Sequence, residues 1–272
     1  MLIGSLVPFL AIVFFLLALV FRKKELSALG WIAAAGYSIR ETAHYVAIEE
    51  YFDASLALIL LVFSLLLTYI MLKPAPKEKE DVLFTITKVA FITALFYFPF
   101  TEIPLLGDAL IYLTTSITTA VLNYFNIPVY MVPPSHIFTT DSSFHAVHKP
   151  IEIILACTAI QSIVLFIGLI FGVTAPLGRK LKALMVSVPV IYVLNILRDV
   201  FVVAAYFEQW FGAPLDSFFI AHNVLARIVV LISLILIAYA VFEILPETLD
   251  FLEEFFTTIK SVFPGMRPIE SG

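Results

Sequence analysis

The sequence predicts an all-α integral membrane protein, with about seven transmembrane helices, a structured extracytoplasmic loop and an amphipathic cytoplasmic helix near the C-terminus. Three observations carry that prediction. The 272 residues are 61% hydrophobic and only 14% charged, with 26 Phe, more apolar surface than a water-soluble domain of this size needs to bury. About seven apolar stretches are long enough to cross the hydrocarbon core of a bilayer. Lys and Arg crowd the connections on one side of those stretches and are almost absent from the other.

The expected spans fall near 2–21, 31–48, 55–72, 82–98, 151–173, 183–207 and 217–242. Leu2–Phe21 has no basic residues ahead of it and is followed by Arg22, Lys23 and Lys24, the order of a retained span rather than of a cleaved signal peptide. On the second span Arg40, Glu41 and His44 fall within about one turn and share a face. They read either as a self-neutralised trio or as a contact for a lipid headgroup or a peptide. Lys88, one turn inside the fourth span, is expected to snorkel to the interface. Pro189 interrupts the hydrogen-bond ladder of the sixth and is expected to kink it.

Charge sets the orientation. The connections 22–28, 73–81 and 174–182, with the tail after 242, carry eleven Lys and Arg; the opposite side, which includes 99–150, carries only Lys149. The basic side is cytoplasmic by the positive-inside rule, so the N-terminus lies outside and the C-terminus in the cytoplasm of a multi-pass protein of the cell membrane. A formal net charge of −5 gives no sign of a nucleic-acid partner.

Two segments are neither spans nor short turns. Within the outer connection 99–150, residues 109–125 alternate Thr with aliphatics in the manner of a helix lying in the interface. The run from Ile127 to Lys149, with Pro128, Pro133, Pro134, His136, His145 and His148, suits a small hairpin. After residue 242, Glu243, Glu247, Asp250, Glu253 and Glu254 alternate with Phe and Leu as in an amphipathic helix. The organisation expected is a single polytopic domain over 1–242, with a motif-bearing core at 150–242, and a cytoplasmic tail at 243–272.

Cys157 is the single cysteine. That excludes an internal disulfide and a thiolate zinc cluster, and nothing in the pattern signals a metal or an organic cofactor. At 1.5 Å per residue, Cys157 lies about 10 Å below the outer start of its span, Arg198 about 14 Å, His222 about 7 Å and Arg227 about 15 Å below theirs. A thiol, an imidazole and two guanidiniums thus share the outer half of three consecutive spans. Each unpaired charge there costs roughly 2.5–3.5 kcal/mol on insertion scales. A thiolate is the nucleophilic form of cysteine, and a guanidinium or a helix N-terminus favours it. Arginine cannot act as a base, but it can hold a thiolate or donate to an oxyanion, while His222 can move protons near neutral pH. Packing readings remain beside the catalytic one. Cys157 would then be a small hydrophobe, Arg198 would be neutralised or cap carbonyls, and Thr158, Gln161, Ser162, His222 and Asn223 would be interhelical polar contacts. A transporter with Arg198, Arg227 and the second-span trio along a solute path is the main rival function; the lack of an internal repeat and of polar residues continuing to the cytoplasmic face counts against it. A structural or assembly protein is a second.

Three motifs bear a resemblance to one known family. Ala156-Cys157-Thr158-Ala159-Ile160-Gln161-Ser162 resembles the cysteine motif of the exosortase/archaeosortase family of membrane transpeptidases. Asn195-Ile196-Leu197-Arg198-Asp199 and Ala221-His222-Asn223-Val224-Leu225-Ala226-Arg227 are similar to its second and third motifs, in the same order and spacing. The cysteine motif leans toward the archaeal branch, with Ala159 where that branch has Gly. The resemblance implies Cys157 as nucleophile, Arg198 as second triad member and Arg227 as the third, assisted in proton transfer by His222. Gln161, Asn195 and Asn223 are the candidate substrate-binding residues of the motifs. It further implies a secreted or surface protein as substrate, cleaved at a C-terminal Pro-Gly-Phe signal ahead of a transmembrane helix and basic tail. The acceptor would be a membrane lipid, and no cofactor is implied. Glu152 and the loop histidines join His222 as candidate bases.

Overall fold

The computed structural model describes residues 2–73, 77–145 and 147–262. Arg267 and the last ten residues of the expected tail lie outside them, as does the side chain of His145. The helices are α1 (Leu2–Phe21), α2 (Lys24–Ala47), α3 (Tyr51–Leu72), α4 (Lys77–Glu102), α5 (Pro104–Tyr124), α6 (Ser142–His145), α7 (Ile160–Gly172), α8 (Leu177–Phe207), α9 (Pro214–Phe218), α10 (Arg227–Ile244) and α11 (Glu247–Val262). A 3-10 turn covers Leu155–Thr158 and a π-helix Phe219–Ala226. Strands β1 (Val129–Val132), β2 (His136–Thr139) and β3 (Ile151–Glu152) form one antiparallel sheet in that order.

The protein is a mostly helical, multi-pass membrane protein. Among the described residues, five helical runs are long and apolar enough to span: α3, α4, α5, α8 and the continuous run from α9 to α10. α7 is apolar but shorter, and α1 is apolar over at least 6–21. Several expectations need correction. The protein is not all-α, because the β-prone runs on either side of Pro133-Pro134 pair as β1 and β2, with Val129 opposite Thr139 and Val132 opposite His136. The second expected span, 31–48, is part of a longer helix that begins at Lys24, and α2 is not among the five apolar runs. Its polar residues, Tyr37 to His44 among them, dilute the apolar stretch. The segment 109–125 is helical, but within a 21-residue helix of spanning length. The expected helix at 151–173 does not exist as one piece: Ile151 and Glu152 pair with β2, a 3-10 turn follows, and the helix proper begins only at Ile160.

The chain divides into two compact, interleaved units. In the first (1–98, 168–175 and 246–272), small residues allow helices to approach closely, since lipid-facing helices gain nothing from apolar burial alone. Ala28, Trp31 and Ala35 of α2 are buried, with Phe15 and Phe63 packed edge-on to Trp31 at 5.1 and 5.9 Å. Ser27 and Thr87 share a buried hydrogen bond of 2.7 Å. On α11, Thr248, Phe251, Phe255 and Thr258 are buried while Asp250, Glu253 and Glu254 are exposed, so the expected amphipathic helix is present. Arg40 pairs with Glu41 at 3.1 Å and lies 4.9 Å from the Tyr37 ring, while His44 is exposed. The trio is thus self-neutralised chiefly through two of its members.

The second unit (99–167 and 176–245) is organised by α8. At 31 residues it is about 46 Å long, well beyond a hydrocarbon core of about 30 Å, and it continues through Pro189. α5 lies along it with Thr114, Thr115, Thr118 and Thr119 buried. Thr115 and Thr119 return their hydroxyls to the carbonyls of Ile111 and Thr115, which makes a threonine face tolerable in an apolar contact. Leu122, Val129, Ile137, Phe144, Ile153, Val203, Tyr206 and Phe207 form one core that joins α5, the sheet and the end of α8.

The sharpest packing constraint lies on α7, where Gly168 and Gly172 form a small-xxx-small pair facing α4. A Cβ on Gly168 would stand 2.9 Å from the Val89 carbonyl oxygen and collide with Thr93 Oγ1. Gly168→Ala is therefore expected to destabilise the protein by roughly 1–3 kcal/mol, the usual cost of overpacking. Gly178→Ala, whose methyl meets nothing within 4 Å, should cause no loss. Melting temperatures in detergent distinguish the two.

Candidate active site

Cys157 owes its position to a break in the helix. The 3-10 turn is closed by the Cys157 N–H donating to Ile154 O at 2.8 Å and by Thr158 Oγ1 donating to Leu155 O at 2.7 Å. Ala159 then adopts the left-handed conformation, φ 59° and ψ 9°, and α7 starts at the next residue. Cys157 therefore lies not two turns inside a helix, as the apolar run suggests, but in the turn that leads into one. Its half-buried side chain rests on the core shared by α5, the sheet and α8.

From α8, Asn195, Arg198 and Asp199 meet this turn. Asn195 Nδ2 donates to the Cys157 carbonyl at 2.5 Å and to Asp199 Oδ2 at 3.2 Å. Arg198 Nη1 donates to Asp199 Oδ1 at 3.0 Å, and the Arg198 charge acts on the Cys157 thiol. Asn195 and Asp199, four residues apart, lie on one face of the helix as expected. Arg198 and Asp199 are sequence neighbours and should diverge by about 100°, yet the long arginine folds back to reach the carboxylate. The pair is well buried, with 15% of the Arg198 side chain and 3% of that of Asp199 exposed.

His222 arrives on the π-helix. Its ring stacks on Phe218 at 5.0 Å and 9°, and its Nδ1 lies 3.3 Å from Asn223 Oδ1. The charges of Arg198 and Arg227 both act on it. In an α-helix, residues 222 and 227 would point about 140° apart; in a π-helix, residues five apart are hydrogen-bonded neighbours on one wall. The half-buried Arg227 follows the π segment as the first residue of α10, its N–H donating to Val224 O.

Of the residues singled out from the sequence, Cys157, Arg198, Asn195, His222 and Asn223 come together here, with Arg227 joined through His222. Gln161 is exposed on the first turn of α7 rather than buried with them. His136 lies opposite Glu152 across the sheet and within 2.9 Å of Ser135 Oγ, and His148 packs on the Phe144 ring at 4.8 Å. Asp199 is not among the residues singled out from the sequence; its i, i+4 relation to Asn195 is the signal that points to it. Tyr206, which donates to Lys149 O at 2.8 Å and so pins the segment ahead of β3 to α8, carried no such signal.

Chemically, the turn presents one thiol beside a cation that a buried carboxylate holds in place. An imidazole within the field of that cation completes a group able to stabilise a thiolate or an oxyanion and to move a proton.

The family model described as transmembrane exosortase matches residues 2–239. Two curated relatives, both named archaeosortase A, are similar to the chain. The Haloferax volcanii protein is 36% identical over 118 residues, 38% of this chain and 39% of its own length. The Natronomonas pharaonis protein is 31% identical over 202 residues, 66% of this chain and 64% of its own length. The chain thus matches less than two thirds of the length of either relative. No solved structure matches.

Left-handed backbone explains why glycine is expected at 159 and what alanine costs there. A Cβ in that conformation costs roughly 1–2 kcal/mol, partly offset by the greater freedom of glycine in the unfolded chain. Ala159→Gly should stabilise the protein by about 0.5–1 kcal/mol, read as a higher melting temperature, with the Cys157 turn unchanged.

Proposed function

The chain belongs to the transmembrane exosortase family, and from that premise we propose that it is a membrane-embedded cysteine transpeptidase. It cleaves the C-terminal sorting signal of a secreted or surface protein and passes the new C-terminus to a membrane lipid. The observation that carries this reading is the joint that ties the turn of the only thiol of the chain, through Asn195 and the buried Asp199 carboxylate, to the Arg198 guanidinium, with Cys157 and His222 both in the field of that charge.

In the first half-reaction the Cys157 thiolate attacks the scissile carbonyl, forming a C–S bond. The oxygen takes up the negative charge, which the Arg198 guanidinium stabilises as a fixed donor. Collapse of this intermediate breaks the C–N bond, and the departing amine, which carries the transmembrane helix of the substrate, takes a proton from the His222 side of the site. In the second half-reaction a headgroup amine of a lipid attacks the thioester. Its proton passes to the same side, the new C–N bond forms and the thiolate leaves. Arg227 adds positive charge next to His222 and serves as the third triad member. Water in place of the amine would make the same chemistry proteolysis. Asn195 holds the cysteine turn, while Asn223 orients His222; Gln161, exposed at the start of α7, is left as the contact for the incoming signal peptide.

Helix length supports a site at the outer surface. Asn195 lies about 27 Å along α8, close to the far edge of a hydrocarbon core of about 30 Å when the helix starts at the cytoplasmic face. Lys and Arg counts put that start, at Leu177, in the cytoplasm, with the N-terminus outside and α11 within. In this topology α5, although long enough to span, does not cross, and with the sheet it forms an extracytoplasmic cover over the cysteine turn, consistent with their shared core.

The test is mass spectrometry of a co-expressed secreted protein ending in Pro-Gly-Phe, a transmembrane helix and a basic tail. Wild type is expected to remove the helix and add a lipid mass, and Cys157→Ala to leave the substrate intact. Arg198→Lys keeps the charge but loses the planar fork, so turnover should fall by about 10²–10³-fold. Equal processing by Cys157→Ala and wild type would overturn the proposal.

A further inference from the structure

On the reading of Cys157 as nucleophile, we propose that Asp199 is a positioning residue whose carboxylate clamps Arg198 and Asn195 so that the guanidinium stays against the thiol. Both carboxylate oxygens are committed: Oδ1 accepts from Arg198 Nη1 at 3.0 Å and Oδ2 from Asn195 Nδ2 at 3.2 Å. The same Asn195 amide donates to the Cys157 carbonyl. One side chain therefore ties the backbone of the nucleophile to the cation that serves it. Asp199 is 3% exposed, and sits where a carboxylate is costly to desolvate unless it is fully bonded. Its charge also reaches Cys157, where it opposes the thiolate that Arg198 favours. A group present only for charge balance would work better farther from the sulfur. Geometry accounts for its place: an arginine with an unanchored fork has many rotamers, and one bonded to the neighbouring residue has few.

The two roles predict opposite signs at the thiol. A mere counter-ion, once removed, leaves the full Arg198 charge facing Cys157 and speeds alkylation. A clamp, once removed, releases the guanidinium and slows it. Because Cys157 is the single cysteine, iodoacetamide incorporation into the purified full chain in detergent reports on this sulfur alone and needs no substrate. Asp199→Ala is expected to alkylate several-fold more slowly than wild type between pH 6 and 8, with the two rates converging at high pH. In the sorting assay its kcat should fall at least about a hundredfold with KM within threefold. Asp199→Asn retains one acceptor and should give a kcat above that of Ala but at least about tenfold below wild type, which keeps the test available if the alanine variant does not fold. Faster alkylation of Asp199→Ala, or a kcat of Asp199→Asn within threefold of wild type, would overturn the clamp. Inactivity of wild type itself would instead strike at the transpeptidase reading, and the alkylation rates would still decide the role of Asp199.

Discussion

Everything distinctive about this protein depends on the joint between the turn at Cys157 and the middle of α8. A backbone carbonyl, a carboxamide, a carboxylate and a guanidinium form a chain of hydrogen bonds beside the thiol. In an apolar setting such a chain is all or nothing. Removing one partner of a buried ion pair typically costs 3–5 kcal/mol, because the charge left behind is neither solvated nor paired. Cys157 has a fixed place because the residues that fix it cannot afford to let go of one another.

The remainder of the second unit serves that joint. α8 is long enough to carry Asn195 to one edge of a bilayer and still project beyond it. The projecting end gives α5 and the sheet an apolar surface to pack on, and Cys157 rests against that packing. The π-helix contributes His222 from the other side, and Arg227 opens the helix that follows it. Such segments are rare, weaker than regular helix and often found at functional sites, which is consistent with one appearing where the third motif lies.

Sequence alone revealed the membrane class and the family motifs, because apolar run length and motif order are strong one-dimensional signals. It misplaced Cys157 relative to its helix, because Ile151–Gly172 is mostly apolar and alanine at 159 gives no turn signal where glycine would have. The two-residue strand at Ile151 is too short for alternation to show, although the hairpin before it was visible from its prolines and β-branched residues. The angular relation of His222 to Arg227 was hidden because periodicity assumes 3.6 residues per turn, and a π-helix breaks that assumption. The partnership of Arg198 with Asp199 was hidden by the rule that adjacent helix positions diverge, a rule that governs Cβ directions and not the reach of a long side chain.

The most direct measurement is intact-mass analysis of the purified enzyme, acid-quenched during reaction with a sorting-signal peptide while any lipid amine is withheld. A mass increase on Cys157 equal to the N-terminal fragment of the peptide, released by hydroxylamine, is the expected result, since without an acceptor the thioester has only water to resolve it. Peptide cleaved with no adduct on Cys157 at any quench time would contradict covalent catalysis by this thiol.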